Sequence, residues 1–320
     1  MFKTEPLKKF FYYMSERQNI WYRRFVLEQP PPWTENKLFQ ELRLCNVYRE
    51  LDRGTNFVTE HIMGADAKPE DLLFRILLYR MFNEIGTYNV LRPLLKNFNG
   101  EKAAEILIKK QLRGEVVFRG SWLTAGTGLH GPGSKIRDYC QVAEGVYRTR
   151  KDFYSMISKT RNIREGWEAI KGVKWMGGFM GYQVALDYSY ITELGWKEDE
   201  WVYVGPGAKK GIYWLMGESP LTDSDLKDLE AFSKKPVDYE QAIRNLQENQ
   251  ASYFKKFGLE FKKWNGKDLD VHNCEFSLCE FNKTMRAQHG GRRNRYVYKD
   301  EKDKAGDDMS VVRRNVRNVG

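Results

Sequence analysis

The chain has 320 residues, 41% of them hydrophobic, with 53 Lys+Arg against 43 Asp+Glu and a formal net charge of +10. That length and apolar content supply a core for one large domain or two small ones and exclude a disordered chain; no apolar run is long enough to span a bilayer. The basic excess calls for an acidic partner, with nucleic acid ahead of a membrane surface.

The N-terminus, MFKTEPLKKFFYYMSERQ, lacks the apolar stretch and small-residue cleavage site of a secretory signal. Four cysteines, at 45, 140, 274 and 279, show neither metal spacing nor a disulfide framework, so buried thiols in a reducing cytoplasm are expected. In SERQNIWYRRF, PPPWTENKLFQ and LCNVYRELDRGTN, Arg17, Arg23, Arg24, Arg49 and Arg53 alternate with Trp21, Tyr22, Trp33 and Tyr48. Cations among aromatics suit phosphate contact with base stacking, and equally a helical surface over an aromatic core. Asn46, in the same run, joins Arg17, Arg23, Arg24, Trp33 and Tyr48 as a candidate DNA or base contact.

Helical signals dominate the middle of the chain. KPEDLLFRILLYRMFNEIG predicts a helix with Pro69 at its first position, Glu70 and Asp71 in its first turn and Gly86 as its stop. GEKAAEILIKKQLRG predicts a helix closed by Gly114, and SKIRDYCQVAEGVYRTRKDFYSMI one capped by Ser134. GEVVF and EWVYV are too short to decide between extended segments and loop edges. The glycine-rich Gly120–Lys135 segment contains GLHGPGSK, which has Ser before Lys and no preceding strand; it is read as a flexible active-site loop, not a nucleotide P-loop. Ile163–Ile191 predicts helix, glycine-broken turn and apolar helix, the plan of a helix-hairpin-helix unit in which Gly177 and Gly178 offer backbone N–H groups to a DNA phosphate. Trp175 stands where the first turn glycine would be. On the second of these helices Gln183 and Asp187 lie four apart in an apolar pattern, either as a structural pair or as a base-contacting or catalytic site.

GPGAKKG, Gly205 to Gly211, is either a plain surface turn or an anion nest in which Gly205 and Gly207 free the backbone and Lys209 and Lys210 add charge. Asp238 with Gln241 predicts a capping-box helix start. CEFSLCEFNKTMR, Cys274 to Arg286, places Glu275, Glu280, Lys283 and Arg286 at helical spacings beside Cys274, Leu278, Cys279 and Phe281. It is either a solvated salt-bridge face or an acid–base–cation cluster aimed at a substrate. His61, His130, His272 and His289 form no ligand spacing, so neither a metal nor a cofactor is expected. The expected organisation is a mainly α domain over 1–286, with lobes 1–160 and 161–286, followed by a basic, flexible tail over 287–320.

Taken in order, ER (Glu16-Arg17), YRR (Tyr22–Arg24), PPPWT (Pro30–Thr34), CNVYRELDR (Cys45–Arg53), FRGSW (Phe118–Trp122), GGFMGYQVALD (Gly177–Asp187), GPGAKKGI (Gly205–Ile212) and LCEFNK (Leu278–Lys283) resemble one family over about Phe10 to Tyr296. It is the α-glutamyl/putrescinyl thymine pyrophosphorylase family, also described as the helical domain associated with 5-hydroxymethyluracil-DNA kinases. The resemblance implies a helical bundle akin to helix-hairpin-helix DNA glycosylases, acting on double-stranded bacteriophage DNA that carries modified thymine, in the host cytoplasm. A separate kinase pyrophosphorylates hydroxymethyluracil; a transferase of this type then replaces pyrophosphate with an amine, from an amino acid or polyamine. The expected catalytic residues are Glu280, with Asp187, Glu275 and Lys283 beside it; Gly205, Gly207, Lys209, Lys210, Arg286, Arg49 and Arg53 are expected to hold the pyrophosphate. Asn282 and Thr284 depart from the Asp and Tyr usual in that family. A glycosylase acting on a modified pyrimidine and a non-catalytic DNA-binding partner of the kinase are the competing readings.

Overall fold

The structure, a computed structural model, describes residues 2–119, 134–233 and 236–290. Most of FRGSW, all but the end of GLHGPGSK, and the tail from 291 lie outside the described residues. Within them the chain forms α-helices joined by short 3-10 and π turns, and no strand; the mainly α expectation holds, and GEVVF and EWVYV are irregular. In chain order the helices are α1 (Thr4–Trp21), α2 (Lys37–Glu41), α3 (Arg53–Phe57), α4 (Pro69–Phe82), α5 (Ile85–Leu91), α6 (Gly100–Leu112), α7 (Ser134–Arg148) and α8 (Arg150–Ile157). Then come α9 (Ile163–Ile170), α10 (Gly178–Ser189), α11 (Pro206–Met216), α12 (Asp223–Phe232), α13 (Tyr239–Glu248), α14 (Gln250–Lys256) and α15 (Val271–Gln288). No helix among the described residues is long and apolar enough to cross a membrane.

Two compact units divide the chain, one made of residues up to Arg53 with those from Trp201 onward, the other of Gly54–Glu200. This differs from a division at 160/161, because the chain leaves the first unit after Arg53 and re-enters it at Trp201. Sequence pattern cannot report such a return: the first crossing falls at the start of α3 and the second in the irregular stretch before α11, and neither has a linker's composition.

The ends of the helices follow local chemistry. α4 begins with Pro69 at its first position, where the missing N–H costs nothing. It ends at Asn83 in the left-handed region (φ 49°), whose N–H donates to the Tyr79 carbonyl, three residues before the expected stop. Gly86 instead donates its N–H to the Glu84 side chain at the start of α5 (3.3 Å). α13 starts as expected on Asp238, which accepts from the Gln241 N–H (3.0 Å), whereas the reciprocal capping box belongs to α12, between Thr222 and Asp225.

In the first unit α11 and α15 form the spine. Their contacts advance together along both chains, from Gly205 beside Glu275 to Trp214 beside Asn282, so the two helices run in the same direction. A Cβ on Gly207 would sit 2.4 Å from the Cys279 sulfur, and one on Gly211 2.5 Å from the Leu278 carbonyl oxygen. These two glycines, four apart on one face of α11, are what lets the backbones meet. α1 adds Phe10 against Phe281 (centroids 5.4 Å) and Phe11 against Phe254 (4.9 Å). Burial of each such ring contributes roughly 1.5–3 kcal/mol.

In the second unit α4 is the central helix and packs against α7, α8 and α10. The α9–turn–α10 hairpin is present, pinned by the Trp167 Nε1–H donating to the Gly178 carbonyl (2.8 Å). Trp175 adopts φ 72°, the left-handed conformation that favours glycine, and its ring lies parallel to that of Tyr139 (6.1 Å, 6°). Trp175 thus holds a backbone conformation that glycine adopts without strain.

Candidate active site

In the first unit, three segments converge on the middle of α15. The first is α15 itself. Burial of Ser277, Leu278, Phe281 and Met285 draws Glu275, Glu280 and Lys283 inward, although the segment reads as amphipathic only in part. Glu275 and Glu280 are 3% and 5% exposed, which rules out the solvated salt-bridge face. Lys283 donates from Nζ to Glu280 Oε1, and the Cys45 backbone N–H donates to Glu280 Oε2 (3.2 Å). Both carboxylate oxygens of Glu280 are therefore engaged. Burial works against the Lys283 ammonium, but the field of Glu280 overrides it and raises the lysine above its ordinary range.

The second segment is the start of α11. Gly205 caps the helix and donates its N–H to Glu275 Oε1 (3.1 Å). Burial pushes the Glu275 carboxyl up to about 8; the Gly205 N–H pulls it down, and the nearby Glu280 charge pushes it further up. An acid so placed exchanges its proton near neutral pH, the property a general acid or base needs. Gly205 and Gly207 do not form an open nest. Gly205 serves a carboxyl of the chain itself and Gly207 faces Cys279. Lys209 pairs with Glu230 (2.9 Å) and Lys210 with Asp223 (2.5 Å). The Lys210 side chain is 7% exposed and that of Asp223 78%, so a buried lysine is paired with an acid at the surface. Arg286 adds a positive field at Asp223.

The third segment is Cys45–Arg53. Asp52 accepts from the Asn46 N–H (2.9 Å), and burial raises its carboxyl to about 6 against that bond and the pull of Arg17. Asn46 also donates from its side chain to the Leu51 carbonyl (2.8 Å), and Arg49 is buried with its backbone N–H on Asn273 Oδ1 (2.9 Å). Arg53 begins α3 at the edge of the unit. From α1, Arg17 donates twice to the Leu44 carbonyl (3.2 and 3.1 Å) and braces this segment. Tyr13, also from α1, is buried, and its hydroxyl is held protonated by burial and by Glu280.

The structure thus brings together Glu275, Glu280, Lys283, Gly205, Gly207 and Lys210, with Asp52, Cys45, Cys279 and Tyr13 around them, whereas Lys209 turns away to Glu230 and Tyr239. The sequence analysis gave Asp52, Cys45 and Tyr13 no site role and placed Cys279 on the apolar side of its helix, where it packs. Cys45 is recruited through its backbone N–H, which no side-chain pattern reports, and Asp52 has no helical spacing to α15. Burial and the neighbouring acids push the Cys279 thiol up to about 12, so it packs and does not ionise. Arg23 and Arg24 lie apart from this cluster, around Trp33. Arg23 donates to the Trp33 carbonyl (2.6 Å) and Arg24 stacks over its ring (4.7 Å). Tyr48 is buried and donates to the Lys267 carbonyl (2.6 Å).

Asp187, Gln183, Gly177 and Gly178 belong to the second unit. Asp187 is fully buried and takes both Nε and Nη2 of Arg80, which also donates to Asn83 Oδ1 (3.1 Å). That geometry is a closed bidentate ion pair tying α10 to α4. Asn282 is also buried and accepts from Trp214 Nε1 (3.1 Å), while Thr284 donates back to the Phe281 carbonyl. Both departures from the family pattern therefore fill structural positions on α15.

Residues 4–293 match the family described as 5-hmdU DNA kinase, helical domain. The chain belongs to this family. It is 26% identical over 294 residues to a 5-hmdU DNA kinase of Bacillus phage SP10. That match covers 86% of this chain and 44% of the relative, so the chain spans less than half the relative's length. No solved structure matches it. The family is the one to which the ordered blocks from Glu16-Arg17 to Leu278–Lys283 point.

Proposed function

We propose that the chain is a transferase acting on modified thymine in double-stranded DNA, which exchanges the pyrophosphate of 5-pyrophosphorylmethyl-uracil for an amine. The observation that carries this reading is the meeting of a buried carboxylate–ammonium pair, Glu280–Lys283, with a second carboxyl of raised pKa, Glu275, at the lysine-bearing start of α11. The amine attacks the exocyclic methylene as a neutral nucleophile. A C–N bond forms, the C–O bond to pyrophosphate breaks, and the proton lost by the nitrogen passes to a carboxylate. Glu280 is the first choice for that carboxylate, and Glu275 is the residue whose proton affinity suits either uptake or return. Lys283, Lys210 and Arg286, with Lys209, Arg49 and Arg53 behind them, supply the positive field for the departing oxygens. The target base leaves the stack at a cost of a few kcal/mol, and Trp33 with Arg23 and Arg24, apart from the cluster, supplies an aromatic and cationic contact for the DNA. The α9–α10 hairpin, with Gly177 and Gly178, serves as a second DNA contact; Gln183, buried within α10, is a structural residue and not a base contact.

The test is nucleoside mass spectrometry of pyrophosphorylated hydroxymethyluracil DNA after incubation with the protein and a pool of amines. An intact nucleoside with a new amine adduct is the expected product. An abasic site would replace the reading with a glycosylase.

A second reading rests on the relative. Its name is that of a kinase and this chain accounts for less than half of it, which favours a helical module that presents DNA to a separate kinase. In that case no adduct forms with the chain alone, and adding it to a hydroxymethyluracil-DNA kinase raises phosphorylation.

A further inference from the structure

The segment Lys255–Lys267, KKFGLEFKKWNGK, carries five lysines and has no part in the site described above. Lys255, Lys256, Lys263 and Lys267 are exposed; Glu260 pairs with Lys262 and Asp268 with Lys263 (2.7 Å), Glu50 feels the charge of Lys267, and Asp270 lies near Tyr48. The usual account of such a run is a solvated face on a flexible loop. The backbone says otherwise. Leu259 N–H donates to the Phe254 carbonyl (2.9 Å), Ser15 donates to the Glu260 carbonyl, and Tyr48 to the Lys267 carbonyl. Just beyond, the Gln250 amide bonds Leu269 through both its groups (3.0 and 2.8 Å). Phe261 stacks on Phe254 (4.5 Å), and the tip turns through two left-handed residues, Asn265 and Gly266. Lys255 and Lys256 close α14, and beyond them the chain is irregular yet held at both ends and in its middle, so its cations are presented without the ordering cost a floppy loop would incur on binding.

Its placement is as informative as its charge. Tyr48, which holds Lys267, is three residues from Cys45, whose N–H holds Glu280. Three residues span at most roughly 11 Å of backbone. The two anchor points therefore lie on one short stretch of chain within the first unit.

We propose that Lys255–Lys267 is a preformed clamp for the phosphate backbone of DNA, in the same unit as Glu280 and Lys283. The clamp takes its partner from the proposed function, but it reads phosphates and not the modified base, so unmodified duplex tests it separately.

The experiment measures binding of the full chain to an unmodified duplex by fluorescence anisotropy across a salt series. Every DNA phosphate that a variant fails to neutralise reduces the slope of log K against log[salt] by about 0.9. K255Q/K256Q/K263Q/K267Q is expected to reduce it by about 2 or more and to weaken binding at least tenfold at low salt, while the corresponding four Lys→Arg changes leave it as in wild type. K263Q/K267Q, confined to the exposed tip and expected to melt with wild type, reduces the slope by about 1–2. An unchanged slope in both Gln variants overturns the clamp, as does lysine-dependent binding of anionic vesicles with duplex binding unaffected. Reduced slopes in a protein that transfers no amine keep the clamp and sink the transferase reading; full transfer with unchanged slopes does the reverse.

Discussion

Glu275→Gln isolates the proton held at the start of α11. Glutamine keeps an oxygen for the Gly205 N–H and nearly the same volume, so the change removes the titration and little else. In the wild type the carboxyl rises from 4.5 to about 8 on folding, chiefly through burial. Between those values the folded state holds the proton and the unfolded state has released it, so stability falls as pH rises, by about 1.4 kcal/mol per unit for one proton. Between pH 5.5 and 7.5 the wild type should lose about 2.7 kcal/mol relative to the Gln variant. At ~2–4 °C per kcal/mol for a unit of this size, the difference in melting temperature between the two proteins should widen by roughly 5–10 °C across that window. Paired thermal melts at half-unit pH steps measure it, and the histidines cancel because both proteins carry them. Parallel melting curves across the window would refute the raised carboxyl, and with it the argument that Glu275 exchanges a proton during turnover.

Glu280→Gln should abolish amine transfer with duplex binding nearly intact, and it also leaves the Lys283 ammonium buried without its partner, a loss of about 3–5 kcal/mol. Glu280→Gln with Lys283→Met should recover most of that stability in denaturant titrations but no activity; full transfer in either protein removes Glu280 from the chemistry. Asp187→Asn breaks the ion pair with Arg80 and should cost about 3–5 kcal/mol, largely restored by Arg80→Met with Asp187→Leu; activity lost in Asp187→Asn with stability unchanged would instead make Asp187 catalytic. Gly207→Ala meets the Cys279 sulfur and should be rescued by Cys279→Ala, whereas Gly211→Ala meets the Leu278 carbonyl and should not; equal rescue in a double-mutant cycle would contradict the packing of α11 on α15. Trp175→Gly should be more stable than Trp175→Ala by about 1 kcal/mol, because the two variants differ mainly in tolerance of φ 72°, and thermal melts decide it.

Helix existence was legible from pattern alone, as in Pro69, Glu70 and Asp71 at the start of α4 or the Asp238 cap of α13. These are contacts within a few residues of one another, and sequence order records them directly. The ordered blocks likewise carried the family, and the spacing in Cys274–Arg286 singled out the helix on which the site is built. The rest depends on residues far apart in the chain. GPGAKKG reads as a turn or nest until α15 is seen against it, when its glycines become the contact surface of a helix. Asp187 reads as a catalytic candidate until Arg80, 107 positions away, closes on it. Cys45 and Asp52 acquire meaning through backbone N–H groups bonded to Glu280 and to Asp52, and the lysine segment through backbone groups held by Ser15 and Tyr48. Local propensity is written in neighbouring residues; burial, and the proton affinities and pairings that burial sets, is decided by the tertiary fold.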